Sequence, residues 1–307
     1  MRTLSFADSA ATLFTAHGSD LYVAVIRADH ADVVTVERVS SRTGGVSSAP
    51  LPFPLAGFLA DIAVGPEGFY LGTSVIRRFT RTPDVLVRLD PSTLKQTARA
   101  SFAANVHAYT QGRQLWASLG DGRVVRLDPH TLAIKASAQI LPRSAALRGE
   151  GLVSAPALGL GSLWALAGDE RDLQLVRMDP STLAVRSKTA VPTRGNYYQS
   201  LNSVTADANH VFLTGRGLAR VDVDGQLTGP PMVDSGLAAA AQHGSGLLAL
   251  TDPPTTLELL NGDGHVQARS PLIDAGGSLA VSGDTAWLLG NAGHGDGIVQ
   301  IRLRRPA

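Results

Sequence analysis

LVRLDPSTLKQTARASF (residues 86–102) returns as VVRLDPHTLAIKASAQI (124–140) and again as LVRMDPSTLAVRSKTAV (175–191). Each copy alternates apolar and polar positions, breaks at Asp-Pro and resumes the alternation. A period of two on both sides of a fixed turn describes a pair of antiparallel strands. Units of roughly forty to fifty residues that recur in this way each supply one small sheet, and sheets repeated radially bury one another's faces. The expected fold is therefore all-β, a seven-bladed β-propeller of four-stranded antiparallel blades.

The number of blades comes from two independent rulers. The residue before the Asp position gives Val39, Leu89, Leu127, Met178, Val221, Leu260 and Ile301. The apolar pair opening the second strand of each unit gives Leu21-Tyr22, Phe69-Tyr70, Leu115-Trp116, Leu163-Trp164, Val211-Phe212, Leu247-Leu248 and Ala286-Trp287. Both predict a single domain over 1–307, with approximate blades at 8–53, 54–102, 103–140, 141–191, 192–234, 235–272 and 273–307. The last unit stops after its third strand, and residues 1–7 hold a spare one. Pairing the two in one blade removes two open sheet edges and ties the ring shut. The aromatics of the second ruler are expected to pack between sheets. Asp90, Asp128 and Asp179 are expected to form turns, each carboxylate accepting backbone amides two residues on.

Composition excludes several classes. The formal net charge is +1 with no Lys/Arg run, which argues against nucleic acid and anionic membranes as partners. With no cysteine there are no disulfides, thiolate ligands or cysteine nucleophiles. No apolar stretch is long enough to span a membrane and the start lacks a signal-peptide core, so the chain reads as a cytoplasmic monomer. A start created in cloning would leave a secreted or periplasmic origin open.

In a propeller the B-to-C and D-to-A connections emerge on one face, and long loops on a rigid scaffold concentrate binding residues. The spacings of the first ruler run from 38 to 51 residues, and the excess falls in loops 74–85, 141–153, 165–174 and 192–202. These loops or their flanks carry Arg77, Arg78, Arg143, Arg148, Glu150, Arg194, Asn196, Tyr197 and Tyr198. Guanidinium forks fit carboxylate or phosphate, and tyrosines combine a stacking face with a polar tip. Together they outline a face for a small anionic ligand, a peptide or a protein. The competing reading of the charges is a solvated, mutually paired rim.

Aligning first strands puts Leu13, Asp61, His107, Ala155, Ser203, Ala239 and Ser278 at equivalent positions, two of them ionisable. Asp61 and His107 would sit in adjacent blades, with Asn105, Ser154 and Asn202 nearby, and could share a proton or a metal. The bland alternative is a structural pair. His30 and His294, with Asp296, occupy loops of blades that become neighbours on closure and could ligate a divalent cation. No GxSxG elbow, HExxH helix or EF-hand loop is present.

The units GSLWALAGDERDLQLVRMDPSTLAV (161–185) and RQLWASLGDGRVVRLDPHTLAI (113–134) resemble bacterial YVTN-type and virginiamycin B lyase-like propellers, whose blades read LWV, then GDG, then RIDP. The likeness spans nearly the whole chain and concerns packing and turning positions. The lyase resemblance implies metal-dependent elimination on a cyclic depsipeptide, with His and Glu at the channel mouth and a Pro-His-Gly-Ile phrase. Here the corresponding phrase is LADIAVGPEG (59–68) and Pro-His-Gly occurs nowhere, so no catalytic residue carries over. A binding propeller is the leading expectation, a lyase or hydrolase the alternative, and a structural scaffold the third.

Overall fold

The computed structural model describes residues 2–6, 9–27, 33–40, 42–52, 58–74, 84–102, 106–148, 152–169, 172–191, 203–206, 209–214, 218–228, 236–243, 246–252, 256–271, 275–291 and 296–303. Seven antiparallel sheets follow one another in chain order. The first blade runs through Ser9–His17, Asp20–Arg27, Val33–Ser40 and Val46–Pro52, strands A to D. The A strands of neighbouring blades pack on one another, so they form the inner wall, and the D strands lie outermost. The seventh blade is built from Ala275–Ser282, Thr285–Asn291 and Asp296–Arg302, with Arg2–Phe6 as its fourth strand. That N-terminal strand pairs antiparallel from Arg2↔Gln300 to Phe6↔Asp296. The spare strand does close the ring.

One blade departs from the regular pattern. The inner strand of the fourth blade is split into Leu152–Val153 and Ala157–Gly159, both paired with Ser162–Gly168. Pro156 has no N–H to give the ladder, so the strand breaks there. Ser154 bridges the break: its Oγ accepts from the Leu166 amide at 2.9 Å. Ala155 therefore falls in the break, but the pairs Val153↔Ala167 and Ala157↔Trp164 repeat the register of Leu59↔Thr73 and Tyr109↔Trp116, so its alignment with Asp61 and His107 is kept.

A blade is apolar on both faces because period-2 alternation feeds both neighbours, and each seam holds its own cluster of buried residues. Seam one/two joins Tyr22, Ala24 and Val36 to Phe69, Leu71 and Leu89. Seam seven/one joins Trp287 and Ile298 to Leu21 and Val23, so the last sheet packs on the first as the others pack in sequence.

The Asp-Pro turn fastens three of these seams. In each copy the Asp carboxylate accepts the amides two and three residues on, as at Asp128 from His130 (3.0 Å) and Thr131 (2.9 Å). These amides, preceded at Asp90 by the Ser92 hydroxyl, hold Asp90, Asp128 and Asp179 at about 2, well below the usual carboxylate range. The turns end on a leucine in left-handed backbone: Leu94 (φ 57°), Leu132 (φ 62°) and Leu183 (φ 61°). Each is essentially inaccessible and inserts into the seam with the preceding blade. A left-handed non-glycine residue costs roughly 1–2 kcal/mol. Full burial of a leucine contributes about 1.5–3 kcal/mol, and two amide bonds to a carboxylate add to it, so the strained conformation persists. A second link crosses the same seams. Tyr22 donates to the Pro91 carbonyl (3.2 Å), Tyr70 to Pro129 (2.9 Å) and Trp116 Nε1 to Pro180 (3.0 Å). Each aromatic thus reaches the Asp-Pro turn of the following blade.

The leucine plug makes an unusual ordering. Leu132→Ala leaves both the strain and a cavity, and should destabilise by about 2–5 kcal/mol. Leu132→Gly leaves the cavity but relieves the strain, and should be the more stable of the two by about 1 kcal/mol. Urea denaturation of both variants reads the difference. Alanine equal to or above glycine would mean that the backbone at this turn is not strained.

Candidate functional site at the inner strands and the long-loop face

Asp61 lies on strand A of blade two, Phe58–Gly65, and His107 on strand A of blade three, Val106–Gln111. Asp61 faces Gly72 across its own sheet. A Cβ on Gly72 would come within 2.8 Å of the Val106 carbonyl, so glycine there lets blade three press close to blade two. That approach brings the Asp61 carboxylate against the backbone of the next blade. Oδ1 accepts from Ile62 N at 2.8 Å, and the Ala108 amide also bonds the carboxylate. Oδ2 is buried with no hydrogen-bond donor and lies 3.9 Å from His107 Nδ1.

Electrostatics follow from that placement. Burial pushes Asp61 up to about 7, and its two backbone amides only partly oppose the shift. Burial also holds His107 below the usual imidazole value. The side chains retain 24% and 38% exposure, which keeps the pair open to protons from the channel while Oδ2 itself stays dry. The two groups lie beyond hydrogen-bond distance of one another, and burial favours the neutral form of each. Ser118 is the cross-strand partner of His107 on the same face of blade three, fully buried, and its Oγ has no partner. Carboxyl, imidazole and hydroxyl therefore gather at one stretch of the inner wall. Ser118 is too deeply buried to meet a substrate directly. Nothing in the sequence singled it out, because one serine in a run of alternating strand residues carries no spacing signal.

The residues expected around this pair do not all join it. Ser154 is committed to the split strand, its Oγ donating to the Ala155 carbonyl at 3.0 Å and accepting from Leu166. Asn105 and Asn202 lie outside the described residues.

At the adjacent seam, the connection from blade three to blade four forms a short helix, Arg143–Arg148. Ala146 anchors it on seam three/four and Arg143 points to solvent. Asp169 and Asp172, acids of the neighbouring loop, are engaged locally: Asp172 N donates to Asp169 Oδ1 at 2.9 Å, and Asp172 accepts from Gln174. Arg77, Arg78, Glu150, Arg194, Asn196, Tyr197 and Tyr198 lie outside the described residues, as do His30 and His294 and the side chains of Arg148 and Asp296. Among the described residues, no group of three or more His, Asp or Glu could hold a metal ion. No helix among them is long and apolar enough to cross a membrane.

No protein-family model matches this chain, and no curated protein matches it. Solved structures do. BamB from Moraxella catarrhalis is similar at 13% identity and a TM-score of 0.60, covering 96% of this chain and 99% of BamB. The β-propeller domain of Myceliophteria thermophila Cps50 (Swd1) is similar at 15% identity and 0.65, covering 99% of both chains. A chain of the mitotic checkpoint complex is similar at 12% and 0.68, covering 99% of this chain and 91% of the other. The likeness is one of fold. It extends over the whole ring and places this chain among propellers.

Asp61 gives stability a defined pH dependence. Its folded value lies above the unfolded carboxylate value near 4, so the folded state binds the extra proton between about pH 4 and 7. This contribution is fully present below pH 4, falls as pH rises through that window and is lost above 7. Asp61→Asn removes the buried charge and keeps a group able to donate toward His107. The variant should melt higher than wild type at pH 8, and its advantage should shrink markedly by pH 5. A pH-independent difference in melting temperature would show that Asp61 ionises normally.

Proposed function

We propose that this chain is a protein-binding propeller that engages its partner on the face carrying its long B-to-C and D-to-A connections. The observation that carries the reading is the asymmetry of the ring's two faces. A-to-B hairpins are tight, turning at Gly18, Gly112, Gly161 and Gly283 with positive φ, and the C-to-D turns of the first six blades are short, closed by backbone bonds such as Asp90 N to Lys95 O and Asn261 N to His265 O. The other face receives all the longer connections, the helix Arg143–Arg148 among them. Chain length spent on one face of a rigid ring is how scaffolds present recognition surfaces. Two of the similar solved structures are described as complexes, one of BBS1N with ARL6DN and one the mitotic checkpoint complex, in keeping with a propeller that serves as a docking platform. Within this reading Arg77, Arg78, Arg143, Arg148 and Arg194 supply anion-matching forks, and Tyr197 and Tyr198 supply stacking anchors. The occupant is a protein or peptide segment, and a small anion is the lesser alternative.

A second reading rests on the Asp61 and His107 pair. A carboxyl raised to about 7 beside an imidazole is suited to acid/base work in a lyase or hydrolase, the class that the virginiamycin B lyase-like resemblance implies. It requires a substrate that reaches the inner wall.

Site-specific photocrosslinking in the native cell separates these readings. A photoreactive residue at Arg143 should yield a discrete protein adduct, and one at Val185, exposed on the opposite face, should yield none. Adducts at Val185 alone would overturn the choice of face. Absence of any protein adduct, together with a co-purified small molecule whose turnover is lost in His107→Ala, would favour the second reading.

A further inference from the structure

Seams one/two, two/three and three/four are each plugged by a leucine delivered from a C-to-D turn. The seventh blade has no such turn, because its third and fourth strands come from opposite ends of the chain. Among the described residues its outer pairing runs from Phe6↔Asp296 to Arg2↔Gln300. The corresponding residues Leu89, Leu127 and Met178 are all paired to an outer strand, whereas Ile301 pairs with Ala286 on its inner side and has no outer partner among the described residues. The preceding blade adds a second deficit. It carries Leu248 where blades one to three carry Tyr22, Tyr70 and Trp116, the aromatics that reach the following turn.

Both deficits fall on one spot. A cavity of about 370 Å³ opens there, lined by Leu248, Leu257, Leu259, Ile301 and Leu303, with no acidic residue in its wall. That volume lies in the range of binding pockets. The charge at its mouth is inverted relative to the plugged seams. Asp90, Asp128 and Asp179 follow Leu89, Leu127 and Met178, but Arg302 follows Ile301. Arg302 is exposed and forms no ion pair among the described residues.

We propose that this cleft between blades six and seven binds an acidic, leucine-bearing segment of a partner protein, which does in trans what Leu94, Leu132 and Leu183 do within the chain. The leucine fills the space left by the missing turn, and the acid meets Arg302. The site lies on the face opposite the long loops and does not depend on the docking face proposed above.

A synthetic peptide of residues 89–94, LDPSTL, with blocked ends serves as the probe, because it carries the internal plug with its acid and no basic side chain. Fluorescence anisotropy should show saturable binding to the folded protein. Replacing the peptide's plug leucine, Leu94, by alanine, or Arg302→Glu in the protein, should weaken it at least tenfold. Leu248→Trp restores the aromatic of the other blades and fills the cleft; it should abolish binding while the melting temperature holds or rises. Ala268→Leu, entering from the outer strand, is the second filler should the first fail to fold. No saturable binding to wild type, or binding that either folded filler leaves unchanged, would overturn the proposal. So would equal competition by 4-methylpentanoate, which would make this a small-molecule cleft.

Discussion

The ring depends on a contact between a left-handed leucine and the blade before it. A four-stranded sheet with two apolar faces is not stable alone, so each blade must be held against both neighbours. Hydrophobic area provides the attraction but no registration. Registration comes from the Asp-Pro turn, whose carboxylate fixes the loop, whose proline carbonyl accepts the aromatic tip of the preceding blade, and whose leucine enters the seam. Three interactions meet at one turn, each of them worth about 1–3 kcal/mol. Their sum orients a whole sheet because they act at the same end of the same seam.

The same close packing explains the inner wall. Blade three can approach blade two because Gly72 offers no side chain to the Val106 carbonyl, and the approach dries one oxygen of Asp61. An isolated carboxylate in such a place would be expelled or neutralised. Here it is neutralised in part by its shift to about 7 and kept near an imidazole that is itself disfavoured as a cation. Elsewhere charges take a cheaper course. Glu67 holds Arg113 and His130 at the opposite rim, and Arg177 lies over the Trp164 ring at 5.5 Å. The contrast marks Asp61 as the charge that ordinary packing does not account for.

Much of this was legible in the repeat. Period-2 alternation and the Asp-Pro punctuation determine strand type, strand number and ring closure, because they are local consequences of backbone geometry. The adjacency of Asp61 and His107 was also legible, since equivalent positions in consecutive repeats must become neighbours. Three features were not. The break at Pro156 interrupts the fourth blade's inner strand without shifting its register, and a ruler based on spacing steps over it. Leucine at positive φ contradicts residue preference, and only its burial against the previous blade explains it. The polar tips of Tyr22, Tyr70 and Trp116 were read as packing alone, because their acceptors belong to another repeat 59 to 69 residues away.

Stability is accordingly unequal around the circle. Seams one/two to three/four carry the full set of plug, carboxylate turn and aromatic tip. At seam four/five the turn is Asp222–Gln226 without proline, and Trp164 turns its Nε1 to its own Gly159 carbonyl (2.8 Å) while its ring rests on Gly225. At seam five/six Phe212 has no polar tip to offer, and Arg220 reaches Asp263 of the next turn instead. At seam six/seven aromatic and plug are both missing. Blade seven is nevertheless held from its other side by the N-terminal strand and by Trp287 in seam seven/one. A propeller closed by its first strand removes the C-to-D turn of one blade by topology, so one seam must lack what that turn supplies. In this chain the loss coincides with the replacement of an aromatic by Leu248, and the opening that results is a property of ring closure rather than a local defect of sequence.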